Sequence, residues 1–287
     1  MLYGTERDWL EAPRKRVAFF GMSGLGKTHM ARMLRATGEW FHYSVDYRIG
    51  TAHMGEAVKD NLIREAMKNP FLAPLLRSDS IYVGSNISFG NLAPLSTFLG
   101  KPGDPARGGL DFAEYLRRQE LHVEAERKAL RDTPAFIQRA EGVYGYDHVV
   151  CDTGGSICEV VDPDDPADPV LSTLADCTLL VGIAGGEQHV DTLVSRFAAD
   201  PKPMCYPRDV NEALWAEFSA AHGTDGDPDA FAVFAYERAM RRREPIYRAI
   251  ARNWGVSVPA EEVAHARDAD DVIALVGRAL ARRATAA

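Results

Sequence analysis

At 287 residues, with 46% hydrophobic side chains, the chain is long enough for one large domain with a sizeable core. Its 33 Lys and Arg against 41 Asp and Glu give a formal charge of −8, which argues against extended surfaces for nucleic acid or an anionic membrane. Cys151, Cys158, Cys177 and Cys205 show no C-x-x-C spacing, so neither a zinc site nor a disulfide framework is expected; the polar stretch Met1 to Arg16 and apolar runs of strand size point to a cytoplasmic chain without a membrane segment.

The first predicted strand is Val17-Ala18-Phe19-Phe20. It runs directly into Gly21-Met22-Ser23-Gly24-Leu25-Gly26-Lys27-Thr28, which fits the phosphate-loop pattern G-x-x-x-x-G-K-[ST], and then into a helix with Met30, Met33 and Leu34 on one face. Backbone N–H groups converge on an anion only where the chain turns tightly, and glycines at 21, 24 and 26 permit that turn. The helix N-terminus adds its positive dipole end. The residues expected to bind a nucleoside triphosphate are therefore Gly21, Ser23, Gly24, Leu25, Gly26, Lys27, Thr28 and His29. Lys27 reaches the β and γ phosphates and the Thr28 hydroxyl ligates Mg²⁺. The imidazoles of His29, His53 and His189 have no ligand spacing and are given no metal role.

A second strand is predicted over Trp40 to Val45, leading into Asp46-Tyr47-Arg48-Ile49-Gly50. Taken alone, Asp46 reads equally well as a surface-turn residue or as an acceptor of a proton from a substrate hydroxyl. Residues 50–110 carry a helical stretch around Glu56 to Met67, then Pro- and Gly-punctuated sequence such as Lys101-Pro102-Gly103-Asp104-Pro105, and are expected to form an inserted helical and irregular subdomain or substrate cover.

The third strand, His148-Val149-Val150-Cys151-Asp152, ends on a carboxylate in the manner of a Walker B aspartate that holds Mg²⁺. Thr153-Gly154-Gly155-Ser156 follows, with glycines where a ligand approaches the backbone. Asp152 to Gly155 also matches the D-x-x-G element of GTPases, but no [NT]-K-x-D motif accompanies it, so adenine is favoured over guanine. The Pro-spaced aspartates of Asp162 to Pro169 read as a solvated connection rather than a metal site. Thr178 to Ile183 is a fourth strand, Val256 to Val258 a last one and Asp270 to Arg282 a closing helix, which together make an α/β alternation with a mainly parallel sheet.

In the late helix Ala235 to Ala251, Arg243-Glu244-Pro245-Ile246-Tyr247 resembles the Arg-x-Pro-Leu-Tyr element of the shikimate kinase family of small-molecule P-loop kinases. The resemblance implies a three-layer αβα P-loop kinase-like fold over a single domain, 1–287, with 50–110 inserted and 196–245 as a lid region. It implies that Arg243 grips the substrate, that Asp46 orients its hydroxyl, and that Gly154 and Gly155 face it. Leu116-Arg117-Arg118-Gln119-Glu120 is similar to the family's Phe-Arg-x-x-Glu, making Arg117 a second anion anchor beside Arg48. Lys202, in Lys202-Pro203-Met204-Cys205, stands where the family's lid carries an arginine, and with Arg196 would close over the γ phosphate. Ser44 and Ser156 replace a family aspartate and a third glycine, so the acceptor is expected to differ from shikimate.

The expected function is Mg²⁺-ATP-dependent phosphoryl transfer to a hydroxyl of a small, anionic molecule, with Lys27, Asp46 and Lys202 catalytic and Thr28 and Asp152 holding the metal. No nucleic-acid or membrane partner is expected. The alternative is an ATP-binding regulatory switch or ATPase that acts on a protein partner through the insertion.

Overall fold

The computed structural model describes residues 2–286. In chain order its helices are α1 (Glu6–Leu10), α2 (Lys27–Ala36), α3 (Val45–Arg48), α4 (Gly55–Ala66), α5 (Leu72–Arg77), α6 (Ala93–Leu99), α7 (Phe112–Arg131), α8 (Thr133–Gly142), α9 (Pro169–Cys177), α10 (Glu187–Ala199), α11 (Arg208–His222), α12 (Pro228–Trp254), α13 (Ala260–His265) and α14 (Ala269–Ala286). The strands are β1 (Arg16–Phe20), β2 (Trp40–Ser44), β3 (His148–Asp152), β4 (Leu179–Ala184) and β5 (Gly255–Pro259). No helix among the described residues is long and apolar enough to cross a membrane.

The chain divides into two compact units. The first comprises the residues up to Val45, Arg127–Asp200, and those from Val233 on. It holds one five-stranded sheet, order β2-β3-β1-β4-β5, with every pairing parallel. Parallel strands covered on both sides need apolar residues at successive positions, and Val17 to Phe20, Val149 to Cys151 and Leu179 to Ile183 are all buried. The connection from β1 to β2 runs one way across the sheet, whereas those from β2 to β3 and β3 to β4 run the other way. Right-handed crossovers therefore put α2 on one face and α8 and α9 on the other. On the first face α14 packs against α2 and α1, which completes the helix–sheet–helix layering expected of an αβα fold. The N-terminal segment is fixed there by the buried Trp9, whose indole N–H donates to Ile273 O at 2.9 Å, and by a capping box between Thr5 and Asp8.

The second unit joins Asp46–Glu126 to Pro201–Ala232, so the stretch expected as an insertion over 50–110 extends further and shares its unit with part of the expected lid, 196–245. Two polar side chains tie these pieces together. The buried Gln119 amide donates to Met204 O at 3.1 Å and accepts from Tyr206 N at 2.9 Å, and Lys101 Nζ donates to Pro201 O at 3.1 Å. Around them Phe112, Tyr115, Trp215, Phe218 and Phe231 form a contiguous set of stacked and edge-on rings.

His122 lies buried in this unit with its Nδ1 3.8 Å from Oε2 of the fully buried Glu126, and desolvation lowers its pKa to about 4. The folded chain therefore keeps this imidazole neutral where the unfolded chain takes up a proton. Stability present above the ordinary histidine pKa is lost as the pH falls towards 4. In denaturant titrations between pH 7 and pH 4, His122→Leu is expected to lose about 3 kcal/mol less than the wild-type chain; equal losses would show that His122 ionises freely.

Candidate functional site

The turn between β1 and α2 has the backbone that its glycines predict. Gly21, Gly24 and Gly26 have φ of +133°, +89° and +105°, values that residues with a Cβ rarely adopt. At Gly21 a Cβ would also meet the carbonyl oxygen of Ile183 in β4 at 2.9 Å. Gly26 is the N-cap of α2 and offers no side-chain cap, which leaves the first amides of the helix directed at the loop. The Lys27 side chain is buried, and its Nζ donates to Gly21 O at 2.7 Å and Met22 O at 2.9 Å, so the ammonium lies within the turn. Ser23, Thr28 and His29 are exposed, whereas Leu25 is buried.

Asp152 leaves β3 beside this loop because β3 pairs with β1, with Asp152 in register with Phe19. The Thr28 hydroxyl donates to Asp152 Oδ2 at 2.6 Å, and the amide of Gly154 donates to Oδ1 at 3.3 Å. The Thr153 hydroxyl donates to Phe19 O at 3.0 Å, holding the end of β3 against β1. On β2 the buried imidazole of His42 has its pKa lowered by desolvation, partly offset by the Asp152 carboxylate, so it is neutral at pH 7. A hydroxyl and a carboxylate in contact are hard oxygen donors. They suit Mg²⁺, which takes one or two protein ligands and completes its shell with phosphate and water. No cluster of three or more His, Cys, Asp or Glu suited to a metal occurs among the described residues.

Beyond Asp152 the chain turns through Gly154, φ +76°, to Gly155, where a Cβ would lie 3.3 Å from Ser23 Cβ of the phosphate loop. Gly155 is held from α12: its carbonyl accepts from Tyr247 Oη at 2.7 Å and from Arg243 Nη1 at 3.3 Å. Arg243 does not present its guanidinium to solvent. It is 0% exposed, and its Nε donates to Glu159 Oε1 at 2.6 Å, while Arg242 pairs with the other oxygen of the same fully buried carboxylate. The anion that Arg243, the arginine expected to grip a substrate, holds here is a carboxylate of its own chain. Glu159 had a signal in the sequence, an acid set within the apolar run Ile157-Cys158-Glu159-Val160-Val161, but nothing local names its partner.

Above the loop α10 places Leu193 2.8 Å from where a Cβ on Gly24 would sit, and α10 is joined to α12 by the parallel stack of Phe197 on Tyr236, centroids 3.9 Å apart. Arg196 is exposed in the last turn of α10. The first unit therefore brings together the turn Gly21 to Thr28, Asp152, Gly154, Gly155 and Arg243. Asp46, Arg48, Arg117 and Lys202 belong to the second unit. There Asp46 and Arg48 are partly exposed on α3 and Lys202 is exposed. Arg117, half exposed, makes a two-pronged contact with Glu114 at 2.7 and 2.9 Å. The buried arginine of that helix is its neighbour Arg118, which bonds Glu114, Phe98 O and Asn61. The hydrogen bond from Arg117 leads in drawing the Glu114 carboxyl down to about 2, opposed by burial and aided by Arg118.

No family model, curated protein or solved structure matches the chain. The class that can be stated is an α/β protein with a five-stranded, all-parallel sheet.

Arg243→Met leaves Glu159 with Arg242 as its ionic partner. The loss of the Arg243 hydrogen bond to a buried charge is expected to lower stability by about 1.5–3 kcal/mol, and adding Glu159→Leu to recover part of that loss. Denaturant unfolding of the wild-type chain and the two variants measures it. An Arg243→Met chain as stable as wild type would restore Arg243 to the pool of substrate ligands.

Proposed function

We propose that the chain is a Mg²⁺-ATP-dependent phosphotransferase acting on a hydroxyl of a small, anionic molecule. The observation that carries this is the pairing of a glycine-turned phosphate loop, with Lys27 within it, and the Thr28 to Asp152 contact of 2.6 Å at the same end of the sheet. A triphosphate on that loop meets the amides of residues 23 to 28 and exchanges its own oxygens for the carbonyls that Lys27 contacts. Thr28 and Asp152 would hold Mg²⁺, which would supply charge neutralisation on the phosphates. Phosphoryl transfer asks mainly for positioning and a preorganised positive field, and both are provided by backbone and side chains already fixed by other contacts.

On the acceptor side, Asp46 follows Ser44 by two residues, and Ser44 stands in register with Asp152. Asp46 would take the proton of the acceptor hydroxyl, Arg48 would hold an acceptor anion, and Lys202 and Arg196 would close over the γ phosphate. The engagement of Arg243 by Glu159 and of Arg117 by Glu114 reduces the cations free for an acceptor, and this favours as second reading an ATP-dependent switch acting on a protein partner.

A screen of hydroxylated metabolites with Mg²⁺-ATP, read by thermal shift and by ADP release, separates the two. A true acceptor adds stability by linkage and raises ADP release; ADP release indifferent to every acceptor favours the switch. Lys27→Ala is expected to reduce turnover by at least about a hundredfold, with nucleotide binding weakened. Asp46→Asn is expected to spare nucleotide binding while abolishing transfer. Equal loss of nucleotide binding in both would overturn that division of roles.

A further inference from the structure

Away from the phosphate loop, the β5 edge of the sheet borders a cavity of about 540 Å³. Arg248 and Arg252 of α12, Arg282 and Arg283 of α14, and the hydroxyl-bearing Ser257 of β5 line it. We infer that this is a second anion site, built for a small, multiply phosphorylated molecule. It goes beyond the proposed phosphotransferase activity and does not rest on it.

The position separates it from the phosphate loop. Gly255, Val256 and Ser257 begin β5 and pair with Leu180, Val181 and Gly182, whereas the phosphate loop and Asp152 lie past the carboxyl ends of their strands. Its remaining walls are small, Ala251, Gly255, Val256 and Ala279, so no large side chain fills it. Its volume is that of an ordinary small-molecule site. None of its described lining residues is acidic, in a chain whose formal charge is −8.

The arginines are placed to exchange partners. Arg248 pairs with Glu244 along α12, Arg252 stands 3.9 Å from Asp164, and Arg282 bonds Glu262 at 2.9 Å. The first two guanidinium side chains are about 70% exposed and Arg282 is 47% exposed, so these pairs contribute little and yield readily to a phosphate that offers bidentate, charge-assisted bonds. Arg283 donates to Gly255 O, which holds its guanidinium against the strand. Charges that merely guard a sheet edge from other strands work from open solvent and need no cavity. Four arginines from two helices in the lining of one hollow favour a ligand with several negative charges over a single carboxylate.

Inorganic pyrophosphate is the probe. In calorimetry on the full chain carrying Lys27→Ala, at about 150 mM salt so that diffuse attraction is screened, a single equivalent of pyrophosphate is expected to bind. Adding Arg252→Ala and Arg282→Ala, both at exposed positions that leave the fold intact, is expected to weaken that binding about tenfold or more. Arg252→Lys with Arg282→Lys should retain part of it, because the charge stays and the fork is lost. No binding to the Lys27→Ala chain, or binding unaffected by the alanine pair, would overturn the site. Neither measurement involves turnover, so a failed phosphotransferase assay leaves the result standing.

Discussion

The arrangement at the glycine-rich turn after β1 depends on β3 lying between β2 and β1. With Asp152 in register with Phe19 on one side and Ser44 on the other, three chain segments leave the sheet at neighbouring points of one edge. Thr28 reaches the Asp152 carboxylate only in this register. A slip of one residue would turn Asp152 to the opposite face of the sheet. The Thr153 hydroxyl, bonded to Phe19 O at 3.0 Å, fixes the pairing where the ladder ends, at the place where an error would matter most to the site.

A second constraint is electrostatic. Burying the Glu159 carboxylate with Arg243 removes two charges from water, and such a pair is seldom a source of net stability. Its effect here is geometric. Arg243 and Tyr247 together fix the Gly155 carbonyl, and Gly155 abuts Ser23. α12 thereby supports the phosphate loop through the turn after β3, and through the Phe197 to Tyr236 stack it also supports α10, whose Leu193 covers Gly24. Two neighbours of the turn, Gly155 beside Ser23 and Leu193 beside Gly24, are thus both tied to α12, which limits how far the turn can stray.

The parts of this structure legible in the sequence are those encoded locally. Continuous apolar runs mark β1, β3 and β4 because both faces of a parallel sheet are covered, and three glycines with a lysine mark the loop because its backbone needs positive φ. What was not legible is encoded at a distance. Arg243 is visible as a residue, but its partner Glu159 lies 84 positions away and its burial depends on the packing of α12. In the pair Arg117 and Arg118 the sequence gives no reason to choose between them, yet helix phase turns Arg118 inward to Phe98 and Asn61 and leaves Arg117 half exposed. The joining of Pro201–Ala232 to Asp46–Glu126 is likewise carried by side chain to backbone bonds from Gln119 and Lys101, which leave no periodic trace.

These long-range contacts change what the resemblance to small-molecule kinases supports. Around Gly21 to Thr28 and Asp152 the resemblance coincides with glycines at positive φ and a Thr28 to Asp152 contact. Of the residues that the resemblance implies for acceptor binding, Arg243 is engaged by Glu159 and Arg117 by Glu114. A carboxylate supplied by the chain cannot diffuse away, so an incoming anion would have to displace a neighbour held at effectively high concentration and already desolvated.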